Sequence, residues 1–208
     1  MYYAAVGALA FLVHLLVNFN VIIGHSEDRG KASFRAYRLF SFAVMAFYIA
    51  DVCWGLFYEN GLVGWTYADT VFFFITMALS ILLWTRYVIR YLHLTSKNRL
   101  LLFWTGNVFF LLLVVALGVN FFYPVLFGFD ATGAYVTGPM RFITLILQVL
   151  LFLSTAVNAL VIARRTRESL RRRYIAIGSV GLFMTGAIVL QLLYPLLPFY
   201  SFGCLLGT

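Results

Sequence analysis

Residues Tyr48–Arg90 have the sequence YIADVCWGLFYENGLVGWTYADTVFFFITMALSILLWTRYVIR, and the architecture of the whole chain can be worked out from this stretch. It contains the end of one apolar run, a short aromatic and acidic turn, and a second complete apolar run. Asp51 is an acidic residue inside an apolar run, and Arg86 and Arg90 lie at the end of the second run. The stretch predicts two membrane-spanning helices, with an acid towards one face of the bilayer and basic residues at the other.

The rest of the chain has the same composition. Of its 208 residues, 63% are hydrophobic, 19% aromatic and only 11% charged, which is too little charge for the surface of a soluble domain. A bilayer core of about 30 Å needs about 20 apolar residues in a helix. On that length the sequence predicts spans at 3–23, 39–58, 70–92, 100–122, 142–163 and 174–194, and a partial seventh at 199–208.

The predicted fold is therefore all-α: a polytopic helical bundle of six complete spans and a truncated seventh, forming a single transmembrane domain over residues 1–208. Proline inside a helix removes a backbone hydrogen bond and bends the helix. The four prolines all lie at predicted helix ends on one side, so we expect largely unbroken helices. The longest loop on that side, 123–141, is a candidate cap over the bundle.

Fourteen of the fifteen Lys and Arg residues fall on the opposite side. They occupy the loop after the first span, the end of the third span with the loop after it, and the loop after the fifth span. The positive-inside rule then places the N-terminus outside and the C-terminus in the cytoplasm. The chain is expected to cross the membrane several times.

The placement of the charges argues against nucleic acid as a partner, despite the net charge of +8. Cys53 and Cys204 both lie in apolar runs, so no disulfide framework is expected. The N-terminus has no basic segment of the kind that begins a cleaved signal peptide. The arginine-rich run at 164–173 has two interpretations, an anchor that fixes the topology or a site for anionic lipid headgroups.

Asp51 is the most informative single residue. An ionised side chain at the centre of a bilayer costs about 2.5–3.5 kcal/mol even on lenient scales, so Asp51 should face the bundle interior and have a partner. One interpretation is an outward-opening ligand pocket; the other is a packing contact with a neighbouring helix. The predicted ligand-binding set comprises Asp51, Trp54, Tyr58, Trp65, Tyr67, Asp69, Asn120, Arg141, Gln148 and Gln191.

Two other polar residues leave alternatives open. Arg141 is the single basic residue on the predicted outer side, and it either binds an anion or extends to the membrane surface; the sequence slightly favours the second. His14 lies in the middle of the first span, whereas His25 and His93 lie at the cytoplasmic rim. A metal site is therefore not expected, and His14 is better explained by hydrogen bonding between helices.

No catalytic motif is found: the sequence lacks G-x-S-x-G and H-E-x-x-H, and it offers no second intramembrane acid to pair with Asp51. The prediction is a protein domain that is not an enzyme and needs no cofactor. A small transporter is the alternative, although transporters generally have helices interrupted in mid-membrane and binding groups near the midplane.

Several segments resemble a known family. They are Tyr37-Arg-Leu-Phe, Tyr48-Ile-Ala-Asp-Val-Cys-Trp-Gly, Tyr67-Ala-Asp-Thr, Met77–Tyr87 and the terminal Tyr194–Gly207. They are similar to the N-terminal seven-helix sensory region of bacterial (Clostridia-type) signalling proteins, which precedes diguanylate cyclase (GGDEF) or histidine kinase modules. The resemblance covers nearly the whole chain, and its most specific parts are Asp-x-x-Trp-Gly and Trp-Thr-Arg-Tyr.

This resemblance implies an input domain for signal transduction, located in a bacterial cytoplasmic (inner) membrane. The expected function is a membrane sensor that binds a small ligand in its outer half and transmits a helix rearrangement to a cytoplasmic output module in the same chain. Homodimerisation of the chain is also expected, because both kinds of output module usually work as dimers. The residues expected to couple the signal lie at the inner end of the third span: Trp84, Arg86, Tyr87 and Arg90.

Overall fold

The computed structural model describes residues 2–23, 32–92, 94–194 and 197–207, apart from the side chains of residues 2, 3 and 169. Eight helices and one two-stranded hairpin occupy this part of the chain. The helices are α1 (Tyr2–Val17), α2 (Phe19–Ile23), α3 (Ala32–Glu59), α4 (Val63–Tyr91), α5 (Ser96–Asn120), α6 (Pro139–Arg165), α7 (Glu168–Leu193) and α8 (Phe199–Gly207); the strands are β1 (Phe127–Phe129) and β2 (Tyr135–Thr137).

Five of these helices, α3 to α7, are long and apolar enough to cross a membrane. Many of their large apolar side chains are exposed on the outside of the bundle, among them Leu101, Leu111 and Leu150. Lipid is the environment in which such a surface is stable, because apolar side chains then face apolar lipid tails while the backbone hydrogen bonds stay within each helix. The chain is therefore a helical membrane protein, as the composition predicts.

The first predicted span, 3–23, is not a continuous helix in the structure. It is divided at Asn18 into α1, which has 16 residues, and α2, which has five. The Asn18 amide donates to the carbonyl of His14 at 3.2 Å, a local bond that competes with regular helix geometry. Helices α3 to α7 are continuous, in agreement with the expectation of largely unbroken helices, whereas this first segment is divided without any proline.

The five long helices α3 to α7 are longer than predicted, mainly because they begin earlier in the sequence. Helix α3 begins at Ala32 rather than 39, and α4 begins at Val63 rather than 70. At about 1.5 Å per residue, the 28 residues of α3 extend about 42 Å, beyond the apolar core of a bilayer. The sequence-based bounds mark the apolar part of each helix, whereas the helix itself continues into the interface.

The turn between α3 and α4 is set by Gly61, whose φ of 66° suits glycine. The N–H of Leu62 donates to the carbonyl of Phe57 at 3.0 Å, and that of Gly61 donates to Tyr58 at 3.1 Å. This pair of bonds is a Schellman motif. It ends α3 sharply, so α4 returns antiparallel against it.

Consecutive helices pack side by side, and the bundle closes on itself: α1 contacts α3, α3 contacts α4, α4 contacts α5, α5 contacts α6, and α6 contacts α7. The short helix α8 contacts α7, α1 and α3. The basic residues at the start of α3, the end of α4, the end of α6 and the start of α7 consequently gather at one end of the bundle. The described residues agree with the charge separation that the sequence predicts, while Arg29 and Lys31 lie outside them.

The predicted cap over residues 123–141 contains a β-hairpin, so the fold is not purely helical. Strands β1 and β2 pair antiparallel, with Phe127 opposite Thr137 and Phe129 opposite Tyr135. Gly138 follows β2 at a point where its backbone passes close to the backbone of Val125. A Cβ on residue 138 would collide with the carbonyl oxygen of Val125. Only glycine fits this crossing, which returns the chain to the start of α6.

Candidate functional site

A small cavity lies where the ends of five helices meet the hairpin, opposite the basic end of the bundle. It has a volume of about 50 Å³, and its lining comes from α3, α4, α6, α7, α8 and β2. Helix α4 contributes one face at helical spacing, namely Thr70, Phe73, Phe74 and Met77. The other lining residues are Trp54, Tyr135, Arg141, Leu145, Gln191 and Tyr200.

Trp54 forms the aromatic wall on the α3 side. Its indole N–H donates to Thr70 Oγ1 at 3.0 Å, and Thr70 donates to the carbonyl of Thr66 at 2.6 Å. Tyr58 stacks on Trp54 with ring centroids 4.8 Å apart, and Tyr135 meets Trp54 edge-on at 5.8 Å. These contacts orient the indole; Tyr58 supports Trp54 but does not itself line the cavity.

Tyr135 connects this wall to the hairpin. Its ring stacks on that of Phe127, with centroids 6.2 Å apart. Burial raises the pKa of the Tyr135 hydroxyl to about 12, although the nearby positive charge of Arg141 partly opposes this rise. The hydroxyl is therefore neutral over the physiological range.

Arg141 lies in the third position of α6, and its side chain is only 6% exposed. An arginine that extends to the membrane surface keeps its guanidinium in contact with water. The burial of Arg141 is inconsistent with that interpretation, which the sequence slightly favours. Arg141 is instead part of the cavity wall and gives it a formal positive charge.

Gln191 and Tyr200 close the cavity on the side of α7 and α8. Gln191 Oε1 accepts a hydrogen bond from the backbone N–H of Tyr200 at 3.3 Å. The Tyr200 hydroxyl lies 3.3 Å from Ser80 Oγ, and its ring is 4.9 Å from that of Phe47. The start of α8 is therefore fixed to α7, α4 and α3 around the cavity.

Asp51 is buried, with 1% of its surface exposed, but it is not among the residues that line the cavity. Its Oδ2 accepts a hydrogen bond from Ser201 Oγ at 2.5 Å, a length typical of a hydroxyl bonded to a carboxylate. Asp51 thus has an interior partner, as expected, but the partner is on α8. This geometry supports a contact between α3 and α8 rather than direct contact between Asp51 and a ligand.

Asp69 lies inside α4 because that helix begins earlier than predicted. Its side chain is half-buried. Asp69 therefore lies within a long apolar helix, near its start, and the expectation that no second intramembrane acid pairs with Asp51 stays a prediction. Asp69 does not line the cavity.

Three other predicted ligand-binding residues lie away from the cavity: Asn120 and Tyr67 make hydrogen bonds around the hairpin, and Trp65 is exposed. Asn120 Oδ1 accepts the N–H groups of Leu126 at 2.8 Å and Phe127 at 3.2 Å, and its amide donates to the carbonyl of Phe127 at 3.1 Å. The Tyr67 hydroxyl donates to the carbonyl of Asn120 at 3.3 Å. Trp65 is 65% exposed. The cavity contains none of the three.

Gln148 is fully buried but does not line the cavity either. It lies two turns after Arg141 on the inner face of α6. Its side-chain amide makes no hydrogen bond with any residue that the structure describes. Of the ten predicted ligand-binding residues, the cavity thus includes Trp54, Arg141 and Gln191.

The predicted coupling residues tie the inner half of α4 to its neighbours. The Trp84 indole donates to Thr155 of α6 at 3.2 Å, and Arg86 donates to Asn107 of α5 at 2.9 Å. Tyr87 packs against Tyr37 of α3, with centroids 5.1 Å apart. The Arg90 guanidinium donates to the carbonyl of Ala32 at 3.4 Å. These contacts make α4 a central element, with α3, α5 and α6 attached to it.

His14 is buried and meets the ring of Tyr48 edge-on at 5.8 Å. Among the described residues, no three His, Cys, Asp or Glu side chains are grouped to hold a metal ion. His25 and His93 lie outside the described residues.

Two larger grooves have volumes of about 450 and 530 Å³ and lie between α5 and α6 and between α7 and α8. Their lining is almost entirely apolar and belongs to the outside of the bundle. Such surfaces are expected in contact with lipid tails. The small cavity is the more specific site because several elements converge on it and it includes a buried charge.

Ser201 and the α4 face that begins at Thr70 were not predicted from the sequence. A signal for the α4 face was present, since Thr70, Phe74 and Met77 recur at intervals of four and three residues. No local signal identifies Ser201, because its partner lies 150 residues away.

The fold and cavity define a class of protein: a polytopic helical membrane protein with a small, mainly apolar cavity that includes a buried arginine, at the end opposite its other basic residues. The sequence matches no family model, and no characterised protein or solved structure matches it significantly.

Proposed function

We propose that this chain is a membrane sensor domain in which a small molecule in the cavity shifts α8. The observation that carries the proposal is the adjacency of Tyr200 and Ser201. Tyr200 lines the cavity, and Ser201 donates to Asp51. An occupant of the cavity and the bond to Asp51 therefore act on the same turn of the same short helix.

The direction of signalling follows from the charge distribution. The basic end of the bundle is assigned to the cytoplasm by the positive-inside rule, so the cavity opens towards the outer half. The resemblance to bacterial sensory regions implies an output module on the cytoplasmic side. A ligand shifts the position of α8 only if it binds the two positions with different affinity.

One observation favours a transporter as the second candidate: the first apolar segment is interrupted at Asn18, and interrupted helices are common in transporters. The interruption is remote from the cavity, whose lining includes no residue of α1 or α2. A sensor predicts that the purified protein in liposomes binds its ligand without accumulating it inside.

The proposal is tested by measuring how readily Cys204 of α8 reacts with a maleimide. Cys204 is buried, and in a Cys53→Ser background it is the one cysteine of the 208 residues. We expect Ser201→Ala to increase the labelling rate about tenfold or more, since a hydrogen bond to a charged group contributes about 1.5–3 kcal/mol. Leu145→Phe, which fills the cavity as a ligand does, should also increase the rate.

Matched controls lie on α3, the helix of Asp51, and on α6, the helix of Leu145. Ser41→Ala alters another buried serine, ten residues from Asp51 on α3, and Leu150→Phe alters an exposed leucine of α6. Neither should change the labelling rate. If Leu145→Phe leaves Cys204 as protected as in the parent while the protein remains folded, the cavity is not coupled to α8 and the sensor proposal is wrong.

A further inference from the structure

A groove with a volume of about 450 Å³ separates α5 from α6 on the outside of the bundle. These two helices pack less closely against each other than α6 and α7 do. Helix α5 contributes one face to the groove, including Leu101, Trp104 and Val108, and α6 contributes Leu151 and Ser154. Because the lining is almost entirely apolar, the groove suits an acyl chain.

The groove ends in a polar bridge towards the basic end of the bundle. The Asn98 amide donates to Asn158 Oδ1 at 2.8 Å, and the Asn158 amide donates to the backbone carbonyl of Ser154 at 2.9 Å. Asn98 precedes Leu101 and Asn158 follows Ser154, so the bridge lies about one turn beyond the apolar lining. The site therefore changes from apolar to polar along its length, in the same order as a phospholipid.

Lys97 and Arg165 continue the two lining faces at this polar end, and both side chains are exposed. At about 100° per residue, Lys97 lies within about 40° of Leu101 around α5. By the same measure Arg165 lies within about 20° of Ser154 around α6. Lys97 is at the level of the bridge, and Arg165 ends α6 about 10 Å beyond it, which is close to the depth of a headgroup layer.

The two cations distinguish between the possible occupants of the groove. A zwitterionic phospholipid carries no net charge, whereas an anionic one is favoured about fivefold by each Lys or Arg near the membrane surface. A second copy of the chain packed symmetrically on this face is opposed, because Lys97 and Arg165 of one copy meet those of the other. The charge therefore favours an anionic lipid over both alternatives.

We infer that the groove binds one anionic phospholipid, with an acyl chain along Trp104 and the phosphate between Lys97 and Arg165. The lipid lies in the leaflet at the basic end of the bundle, whichever way the chain is oriented in the membrane. It occupies the space between α5 and α6 that the protein itself leaves open. The site is separate from the small cavity, so it does not depend on the proposed sensor function.

The test measures how lipids with brominated acyl chains quench the fluorescence of Trp104, whose side chain is 58% exposed. The purified chain is placed in phosphatidylcholine vesicles that contain a minor fraction of brominated phosphatidylglycerol or of brominated phosphatidylcholine with the same chains. The difference between the parent and Trp104→Phe isolates the signal of Trp104. We expect brominated phosphatidylglycerol to quench it with an apparent affinity about tenfold higher or more. The tryptophans that remain in Trp104→Phe, including the exposed Trp65 at the opposite end, should be quenched equally by the two lipids.

Lys97→Gln and Arg165→Gln should each reduce this preference about fivefold, because each removes one positive charge. Both residues are exposed, so neither change should prevent folding. Arg99→Gln is the matched control: it removes the same charge from α5, but about 200° around the helix from Lys97, and should leave the preference almost unchanged. Soluble glycerol phosphate has the headgroup without the acyl chains and should not displace the brominated lipid.

Equal quenching of Trp104 by the two brominated lipids overturns the inference, because the groove then takes lipids without regard to charge. An undiminished preference in both Lys97→Gln and Arg165→Gln also overturns it. So does an equal loss of preference in Arg99→Gln, which would show a general attraction of anionic lipid to the basic end. If neither lipid quenches Trp104, protein covers the groove, and if glycerol phosphate displaces the lipid, the acyl chain is not needed; either result contradicts the proposed site.

Discussion

Buried polar side chains in this bundle differ in how fully the protein satisfies them. Asp51 and Ser201 form a short hydrogen bond between α3 and α8, and the Trp84 indole is bonded to Thr155. Gln148 lies equally deep, but its amide makes no hydrogen bond with the described residues. A buried amide that makes no hydrogen bond retains the full cost of its desolvation.

Gln148→Met should therefore stabilise the folded protein. Methionine has a similar length and no amide to desolvate, and the expected gain is about 1–3 kcal/mol. The measurement is the free energy of unfolding in mixed micelles. Gln191→Met is the matched control and should destabilise the protein, because it removes the bond to the backbone N–H of Tyr200. A loss of stability in Gln148→Met would show that the amide is satisfied in the folded protein.

Among the helices and strands, the hairpin is attached to the bundle by a small number of polar contacts. Asp130 fixes the turn between β1 and β2: its Oδ1 accepts bonds from the Thr132 hydroxyl and from the backbone N–H groups of Thr132 and Ala134. These bonds, led by the one from the Thr132 hydroxyl, lower the pKa of Asp130. The ionised carboxylate therefore stabilises the turn at pH values above the usual aspartate pKa. This contribution is lost as the pH falls through the lowered pKa of Asp130.

Asn120 connects the hairpin to the end of α5, so Asn120→Leu should release β1. The N–H groups of Leu126 and Phe127 lose their acceptor, and their hydrogen exchange should become about tenfold faster. Hydrogen–deuterium exchange of the peptide that covers 124–130 measures the effect.

Asn107→Leu is the control for this change, because Asn107 lies on the same helix and bonds to Arg86 instead. Exchange in the hairpin should be unaltered in that variant. Full protection of 126 and 127 in Asn120→Leu would mean that aromatic packing around Phe127 holds the hairpin without Asn120.

Across the full length of the bundle, the two ends differ in charge. The described ends of α4, α6 and α7 bring most of the arginines together, while the hairpin, Glu59 and Asp69 are at the other end. A membrane with a positive-inside bias orients such a molecule with the hairpin outside.

This orientation predicts the reactivity of two introduced cysteines in a Cys53→Ser, Cys204→Ser background. Ala131→Cys, in the exposed turn of the hairpin, should react with a membrane-impermeant maleimide on intact cells. Glu168→Cys, exposed at the start of α7, should react only after the membrane is permeabilised. The opposite pattern would invert the orientation and place the cavity on the cytoplasmic side.

The membrane character of the chain, the approximate positions of five long helices and the separation of charge between their ends could all be predicted from the sequence. These properties depend on composition along the chain, and each is visible within a window of about 20 residues. The break at Asn18 and the hairpin cannot be recognised in such a window, because a single side-chain bond or a specific turn produces them.

Which polar residues meet could be learned only from the packed helices. In a soluble helix the apolar stripe marks the buried face, but lipid and protein interior are both apolar, so the sequence pattern of a membrane helix does not show which way it is turned. The pairing of Asp51 with Ser201, the burial of Arg141 in the cavity and the attachment of Asn120 to the hairpin all depend on that rotation and on neighbours distant in sequence.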